Sequence, residues 1–252
     1  MTYCLGIKVN DGLIAIADTR ITSGTDTTVK KKVTVWQKDG CSLFIMTSGL
    51  RSVRDKAILY FKEVLEKEEF THMYKAVNAF GEQVRKVSDE DKASIIEGGF
   101  KFDLNTIIGG QLSADEDHKL FLLYPEGNWV ELGQGAPFVI IGNSAHGKPI
   151  LNRTLNEESD MKTALKTGFL SFDSTRVSSN NVDFPIDVVI YKKDSFHLIE
   201  KRFEKKDLEH ISAQWAEELK KSLENIAEDW MDPVFAIMNK ETIPVKTVIK
   251  TK

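Results

Sequence analysis

A threonine stands second in the chain, directly after Met1. If an aminopeptidase removes the methionine, Thr2 gains a free amine two bonds from the carbon that bears its hydroxyl. The residue then supplies both a nucleophile and a base, which is one of the known variants of nucleophilic catalysis. If Met1 stays attached, that nitrogen belongs to an amide and cannot act as a base. Small second residues are also common in cytosolic proteins, so the function of Thr2 depends on its surroundings.

A carboxylate and an ammonium group are expected beside Thr2. The opening apolar run turns at Asn10-Asp11-Gly12 into a second apolar run that ends at Asp18. In a hairpin the end of the second strand lies near the start of the first, which brings Asp18 towards Thr2. Lys32 directly precedes the next apolar run and would pair with Asp18. Such an ammonium would lower the pKa of the Thr2 amine from its ordinary value of about 8. The alternatives are a turn aspartate and a solvated lysine run.

The elements that would position these residues follow from hydrophobic periodicity. Helical spacing predicts two adjacent helices from Arg51 onward and further helices near 146–155, 159–171 and 207–226. Alternating apolar residues predict strands at about 3–9, 12–18, 33–37, 42–48, 103–113, 119–124, 129–132, 138–142, 186–191 and 195–202.

The order of these elements predicts an α+β fold, a four-layer αββα sandwich of two antiparallel sheets. We expect a single domain over residues 1–252. The segment from about 229 contains Pro233 and Pro244 and is predicted to form an extended C-terminal arm.

Composition narrows the range of functions. The net charge of -4 comes from interspersed charges without a basic stripe, which argues against nucleic acid as a partner. Cys4 and Cys41 both lie in apolar runs, which is typical of small buried thiols rather than a disulfide framework. The chain lacks a run of about 18 apolar residues and a signal peptide, so we expect a cytoplasmic protein without membrane contact.

No cofactor is expected. The five histidines show no paired spacing with cysteine or aspartate, which argues against zinc. The run from Gly142 to Lys148 has the spacing of a phosphate loop, but Pro149 occupies the position of the Ser or Thr that binds magnesium. The run is better explained as a strand-to-helix turn.

The opening Thr-Tyr-Cys-Leu-Gly-Ile, together with Ala17–Thr22, Lys31–Val33 and Ser48–Leu50, resembles the pattern of proteasome β-subunits. The chain is more specifically similar to Anbu, the bacterial "ancestral beta subunit" branch. That similarity extends through Gly147–Leu151 and the run from Leu170 to Thr175. It implies an N-terminal nucleophile hydrolase fold.

The resemblance also implies roles for individual residues. Thr2 would be the nucleophile, Asp18 and Lys32 the pair that tunes its amine, and the Gly49 N–H the oxyanion donor. A second family acid matches Asp173, with Ser178 or Ser179 as its companion. The residues assigned to substrate binding are Arg20, Thr22, Thr47 and Ser144, of which Thr22 would pair with an extended peptide through its backbone.

Three functions remain open on the sequence. The first is a threonine peptidase that assembles with copies of itself into a ring or spiral and cleaves peptides. The second is an amidohydrolase for a small amide, and the third is a catalytically silent scaffold subunit. The trio of Thr2, Asp18 and Lys32 argues against a silent subunit, which has no need of it. Any unfolding of protein substrates would need a separate partner, because the chain lacks an ATP-hydrolysing motif.

Overall fold

A computed structural model of the chain describes residues 2–23, 26–38, 40–133 and 135–240. The chain divides into two compact units, Met1–Glu209 and His210–Lys252. None of the helices described in these ranges is both long and apolar enough to span a bilayer.

Two five-stranded antiparallel sheets form the centre of the first unit. One has the strand order β10-β1-β2-β11-β12, and its members are β1 (Tyr3–Val9), β2 (Gly12–Asp18), β10 (Phe138–Gly142), β11 (Ile186–Lys192) and β12 (Leu198–Phe203). The other has the order β5-β6-β7-β8-β9, and its members are β5 (Val33–Lys38), β6 (Cys41–Gly49), β7 (Leu104–Leu112), β8 (Lys119–Leu123) and β9 (Trp129–Glu131).

The helices cover the outer faces of the two sheets. In the first unit they are α1 (Arg51–Lys67), α2 (Met73–Glu97) and α4 (Met161–Ser178), with the short α3 (Lys148–Thr154) packed on α4. Helices α5 (Lys205–Glu224) and α6 (Asp232–Lys240) follow along the chain. Helices α1 and α2 pack on the sheet that contains β6, whereas α4 packs on β1 and β2. The predicted α+β fold, a four-layer αββα sandwich of two antiparallel sheets, is therefore confirmed.

Alternation along the strands explains why the two sheets stack. Successive side chains of a strand point to opposite faces, so every second residue is available to each neighbouring layer. In β6, Phe44 and Met46 pack into the core between the sheets, whereas Leu43 and Ile45 pack towards α1 and α2. Hydrophobic residues on both faces thus bury each sheet between two layers.

The hairpin of β1 and β2 has the predicted bounds. Its register pairs Cys4 with Ala17, and Gly12 opens β2 with a φ of 154°. A side chain on Gly12 would lie 2.0 Å from the carbonyl oxygen of Tyr191, so only glycine fits this position. The turn therefore fixes the pairing that returns Asp18 to the start of the chain.

A two-stranded ribbon was not predicted. Strands β3 (Arg20–Ser23) and β4 (Asp26–Val29) pair antiparallel, with Arg20 opposite Val29. Each strand has only four residues, which is too short for alternation to be distinguished from a polar loop.

Helix α4 continues seven residues beyond the predicted end at 171. Asp160 caps its start by accepting hydrogen bonds from the backbone amides of Lys162 and Thr163, each at 2.9 Å. The continuation from Phe172 to Ser178 contains neither glycine nor proline, so nothing in it stops the helix.

The second unit corrects the prediction of an extended C-terminal arm. Residues Asp232–Lys240 form helix α6 rather than an extended segment, because Pro233 occupies the first turn, where a missing N–H costs no hydrogen bond. Residues 241–252, including Pro244, lie outside the described part of the chain. Large apolar side chains of this unit are exposed, namely Leu219, Leu223, Ile226, Trp230, Val234, Phe235, Ile237 and Met238.

Candidate active site

An open cleft of about 480 Å³ lies where the ends of several strands meet. Thr2, directly before β1, lines it together with Lys32 before β5 and Gly49 at the end of β6. The other lining residues are Arg20, Ile21, Thr47, Ser48, Arg51, Arg54, Asp103, Asn105 and Gly142. The structure therefore brings the predicted nucleophile, lysine and glycine to one surface.

Asp18 and Lys32 form a buried ion pair beside Thr2. The Lys32 ammonium donates to Asp18 Oδ1 at 2.7 Å and to the carbonyl oxygen of Arg20 at 2.7 Å. The side chains are 0% exposed for Asp18 and 4% for Lys32, so neither charge is balanced by bulk water. The predicted pairing is present, and its second acceptor on Arg20 fixes the direction of the ammonium.

Burial raises the pKa of the Asp18 carboxyl above its ordinary value. The Lys32 ammonium and the backbone amides of Tyr3 and Arg20 oppose that rise. Oxygen Oδ1 accepts both the Lys32 ammonium and the Tyr3 amide, while Oδ2 has no hydrogen-bond partner among the described residues. The Asp18 carboxylate therefore binds the Lys32 ammonium through Oδ1 alone.

The peptide group between Thr2 and Tyr3 is held from both sides. Its N–H, on Tyr3, donates to Asp18 Oδ1 at 2.8 Å, and its oxygen, on Thr2, accepts from the Asn143 amide at 2.7 Å. Gly142 makes the second contact possible, because a side chain there would lie 1.9 Å from the Thr2 oxygen. With a φ of 87°, Gly142 also adopts a conformation that favours glycine.

Gly49 ends β6 in a backbone conformation that lies close to the backbone of Asp103. Its φ is 139°, and a side chain there would lie 2.1 Å from the carbonyl oxygen of Asp103. The next residue, Leu50, donates its amide to the same oxygen at 2.8 Å. Gly49 is therefore held beside Asp103 on the cleft wall, and its role as an oxyanion donor stays a prediction.

The predicted substrate-binding residues separate into two groups. Arg20 and Thr47 line the Thr2 cleft, and Arg20 also forms an ion pair with Asp183 at 3.2 Å. Thr22 lies on β3 opposite Thr27, in a two-stranded ribbon whose other β3 edge carries no described strand. Ser144 instead lines a neighbouring cleft beside β10, together with Lys148 and Asn152.

The second predicted acid and its serine lie on α4. Asp173 is buried and accepts from Arg176 Nη2 at 2.7 Å, whereas Ser178 is exposed at the end of the helix. Neither is among the described residues that line the Thr2 cleft. Helix α4 nevertheless contacts the residue after Thr2, because the Tyr3 hydroxyl lies 2.7 Å from Ser171 Oγ. A catalytic role for Asp173 and Ser178 stays a prediction.

Sequence reasoning missed the charged wall of the cleft. Arg51 and Arg54 come from the first turn of α1, and Asp103 precedes β7. Their sequence positions resemble those of ordinary exposed helix and loop residues. The close approach of Leu50 to Asp103 brings them to the cleft, and this contact between distant segments leaves no local signal.

Comparison with known proteins identifies the family to which the chain belongs. A family model described as "Proteasome subunit" matches residues 2–189. A comparison with curated protein sequences gave no match.

Three solved structures resemble the chain over most of its length. An Anbu (Gly-1) mutant from Hyphomicrobium sp. strain MC1 is 32% identical, covers 90% of this chain and 99% of its own, and has a TM-score of 0.83. Anbu (ancestral beta-subunit) from Yersinia bercovieri is 28% identical, with 89% and 97% covered and a TM-score of 0.82. The helical assembly of the Anbu complex from Pseudomonas aeruginosa is 26% identical, with 90% and 97% covered and a TM-score of 0.84.

The fold and the match over residues 2–189 define a proteasome-related subunit of the N-terminal nucleophile hydrolase type. The chain belongs to the proteasome subunit family and, within it, to the Anbu group. The predicted resemblance to Anbu is thereby confirmed.

Proposed function

We propose that the chain is an N-terminal threonine hydrolase, a proteasome-like peptidase that cleaves amide bonds after removal of Met1 and assembles with copies of itself in the cytoplasm. Met1 lies outside the described residues. The observation that carries the proposal is the buried Lys32 ammonium, held at 2.7 Å from both Asp18 Oδ1 and the Arg20 oxygen in the wall of the Thr2 cleft.

The positive charge of the Lys32 ammonium would support catalysis by its effect on the Thr2 amine. A second positive charge beside Lys32 is unfavourable, so the free Thr2 amine would stay neutral near pH 7. The amine then takes the proton of the Thr2 hydroxyl as Oγ1 attacks the substrate carbonyl carbon. The Gly49 N–H would donate to the oxyanion that forms on the carbonyl oxygen.

The covalent intermediate forms and breaks in balanced steps. When the tetrahedral intermediate collapses, the C–N bond breaks and the leaving amine takes the proton from the Thr2 ammonium. The acyl group is then an ester of Thr2. Water, deprotonated by the same amine, attacks the ester carbonyl. The bond between that carbon and Thr2 Oγ1 then breaks, Oγ1 takes the proton back from the ammonium, and a carboxylic acid is released.

The substrate would lie along β3 and β6. One edge of β3, which contains Thr22, pairs with no strand in the described ranges and suits an extended peptide that adds as a further strand. Arg20 and Thr47 in the cleft wall would contact its side chains, and Ser144 would contact a more distant part. Asp173 and Ser178 remain the proposed second acid and its companion.

Self-assembly has separate support. The related complex from Pseudomonas aeruginosa is described as a helical assembly. In the second unit of this chain, helix α6, the end of α5 and the segment between them expose large apolar side chains, including Leu223 at 76% and Trp230 at 69%. Exposed apolar patches of this kind are typical of protein interaction sites.

Intact-mass spectrometry combined with a peptide epoxyketone tests the catalytic part. The epoxyketone needs both a hydroxyl and a neighbouring amine. We expect a chain without Met1 that takes up one probe, with Thr2→Ser still labelled and Thr2→Ala unlabelled. A processed wild-type chain that takes up no probe would contradict the proposal and favour a scaffold. Labelling without cleavage of any peptide in a library would favour a small-amide hydrolase.

A further inference from the structure

A side pocket of about 230 Å³ adjoins the Thr2 cleft. Lys32, Thr47 and Arg54 line both spaces, so the pocket and the cleft adjoin at these residues. The remaining lining residues are Lys31, Thr34, Asp55, Ile58, Leu59 and Lys62. A substrate side chain next to the bond attacked by Thr2 would have this pocket within reach.

The lining of the pocket carries four cationic side chains and one anionic side chain among the described residues. Two of the cations are balanced from outside the pocket, because Lys32 pairs with Asp18 at 2.7 Å and Lys31 with Glu200 at 2.6 Å. The other two, Arg54 and Lys62, determine its net charge together with Asp55.

The one acid of the pocket, Asp55, is shared between two guanidinium groups. Arg54 Nε donates to Asp55 Oδ1 at 2.8 Å, and Arg51 Nε donates to Asp55 Oδ2 at 3.2 Å. One carboxylate therefore faces two positive charges. Lys62, on the same helix, forms no ion pair with any described residue. The pocket thus keeps an excess of positive charge.

Thr47 adds an unused polar group where the pocket and the cleft adjoin. Its side chain is buried at 4% exposure, and Oγ1 has no hydrogen-bond partner among the described residues. A buried hydroxyl without a partner loses free energy that a ligand can restore. A carboxylate entering the pocket would accept a hydrogen bond from this hydroxyl.

We propose that this pocket selects an acidic side chain, so that the enzyme cleaves after glutamate or aspartate in preference to neutral or basic residues. The inference rests on the proposed hydrolase function of Thr2. Arg54 and Lys62 supply the charge, and the Thr47 hydroxyl supplies a hydrogen bond. The apolar residues Ile58 and Leu59 contact the methylene groups of the side chain.

Cleavage of matched peptides tests the preference. Three fluorogenic peptides would differ only in the residue before the cleaved bond, which is Glu, Gln or Lys. Glu and Gln have the same shape, so their ratio of kcat/KM isolates the charge. We expect a Glu to Gln ratio of about tenfold or more, because hydrogen bonds to a charged group are stronger than neutral ones. A ratio of one or below would overturn the proposal.

Three variants assign the preference to individual residues. Arg54→Gln and Thr47→Val should each lower the Glu to Gln ratio, and Lys62→Glu should lower it by about threefold and improve cleavage after Lys. Lys75→Glu is the matched control, because Lys75 is an exposed lysine on α2 that lines none of the spaces described above. An equal loss in Lys75→Glu and Lys62→Glu would show a general charge effect and contradict the assignment.

A binding measurement separates failure of this inference from failure of the hydrolase function. Fluorescence anisotropy of Thr2→Ala with labelled Glu and Gln peptides reports the pocket without any chemistry. If the wild-type chain takes up no epoxyketone but Thr2→Ala prefers the Glu peptide, the proposed hydrolase is wrong and the pocket preference stands. If labelling succeeds and neither assay prefers Glu, the hydrolase stands and the acidic preference is wrong.

Discussion

The Lys32 ammonium lies 2.7 Å from Asp18 Oδ1, with both side chains almost completely removed from solvent. Removing one member of such a pair leaves the other charge buried without compensation, whereas removing both does not. The pair therefore links the stability of the fold to the electrostatics of the Thr2 cleft.

Asp18→Asn and Lys32→Met should each lower the free energy of unfolding by about 3 kcal/mol, and the double variant should regain part of that loss. Urea unfolding of the three variants and the wild type would measure the coupling. Lys31→Met is the control, because Lys31 pairs with Glu200 at the surface and should cost at most about 1 kcal/mol. Strict additivity of the two single variants would show that the pair is not coupled.

Gly142→Ala should displace the Thr2 carbonyl, because the new methyl group would lie 1.9 Å from its oxygen. We expect slower epoxyketone labelling of Thr2 and a loss of unfolding free energy of at least about 1 kcal/mol. Gly99→Ala is the control for the backbone conformation alone, because Gly99 has a φ of 79° and no atom within 4 Å of an added methyl group. Equal labelling rates in both variants would contradict the predicted contact.

Stability should depend on pH through His118. Its side chain is 1% exposed, its Nε2 lies 2.8 Å from the Val9 oxygen, and burial lowers its pKa below the ordinary value of 6.5. The folded chain then binds fewer protons at this site than the unfolded chain below pH 6.5, so stability present above that pH is lost as pH falls through the folded pKa.

His118→Gln removes this titration while its amide can still donate to the Val9 oxygen. The wild type should lose more unfolding free energy than the variant between pH 7 and pH 5, as measured by denaturation at each pH. Asp117, which lies 2.8 Å from His118 Nδ1, opposes the shift. A larger loss in the variant would mean that this carboxylate dominates and that the sign of the shift is wrong.

Leu223→Asp should reduce the size of the assembly, because it puts a charge on an apolar side chain that is 76% exposed in the single chain. Size-exclusion chromatography with light scattering would measure the mass. Lys220→Asp is the matched control on the same helix, with a side chain that is 70% exposed. If the two variants have the same mass as the wild type, this face does not carry the contact between copies.

Much of the site was predictable because it depends on one tight turn between neighbouring strands. Asn10-Asp11-Gly12 fixes the register of β1 and β2, and that register returns Asp18 to Tyr3. Lys32 followed from its place directly before an apolar strand. These residues are close in sequence or joined by one hairpin, so the pattern of residue types indicated that they lie together, whereas their proposed roles came from the resemblance to proteasome β-subunits.

The remainder depends on contacts between distant segments. Arg54 reaches the cleft because α1 begins directly after the close contact of Gly49 with Asp103, and nothing around Arg54 indicates this. The ribbon of β3 and β4 is too short to produce a hydrophobic period. Helix α6 forms although Pro233 suggested an extended segment, because proline is unfavourable within a helix but not in its first turn.

The two hydrogen bonds on the peptide group between Thr2 and Tyr3 both attach beyond the α-carbon of Thr2. Losing the preceding residue would break neither of them. Removal of Met1 would thus convert the Thr2 nitrogen from an amide to an amine while both hydrogen bonds remained intact. The first strand would not have to refold. The hydroxyl and the freed amine would both belong to a residue whose carbonyl group is held in place. The attacking oxygen and its proton acceptor would therefore keep their positions relative to each other.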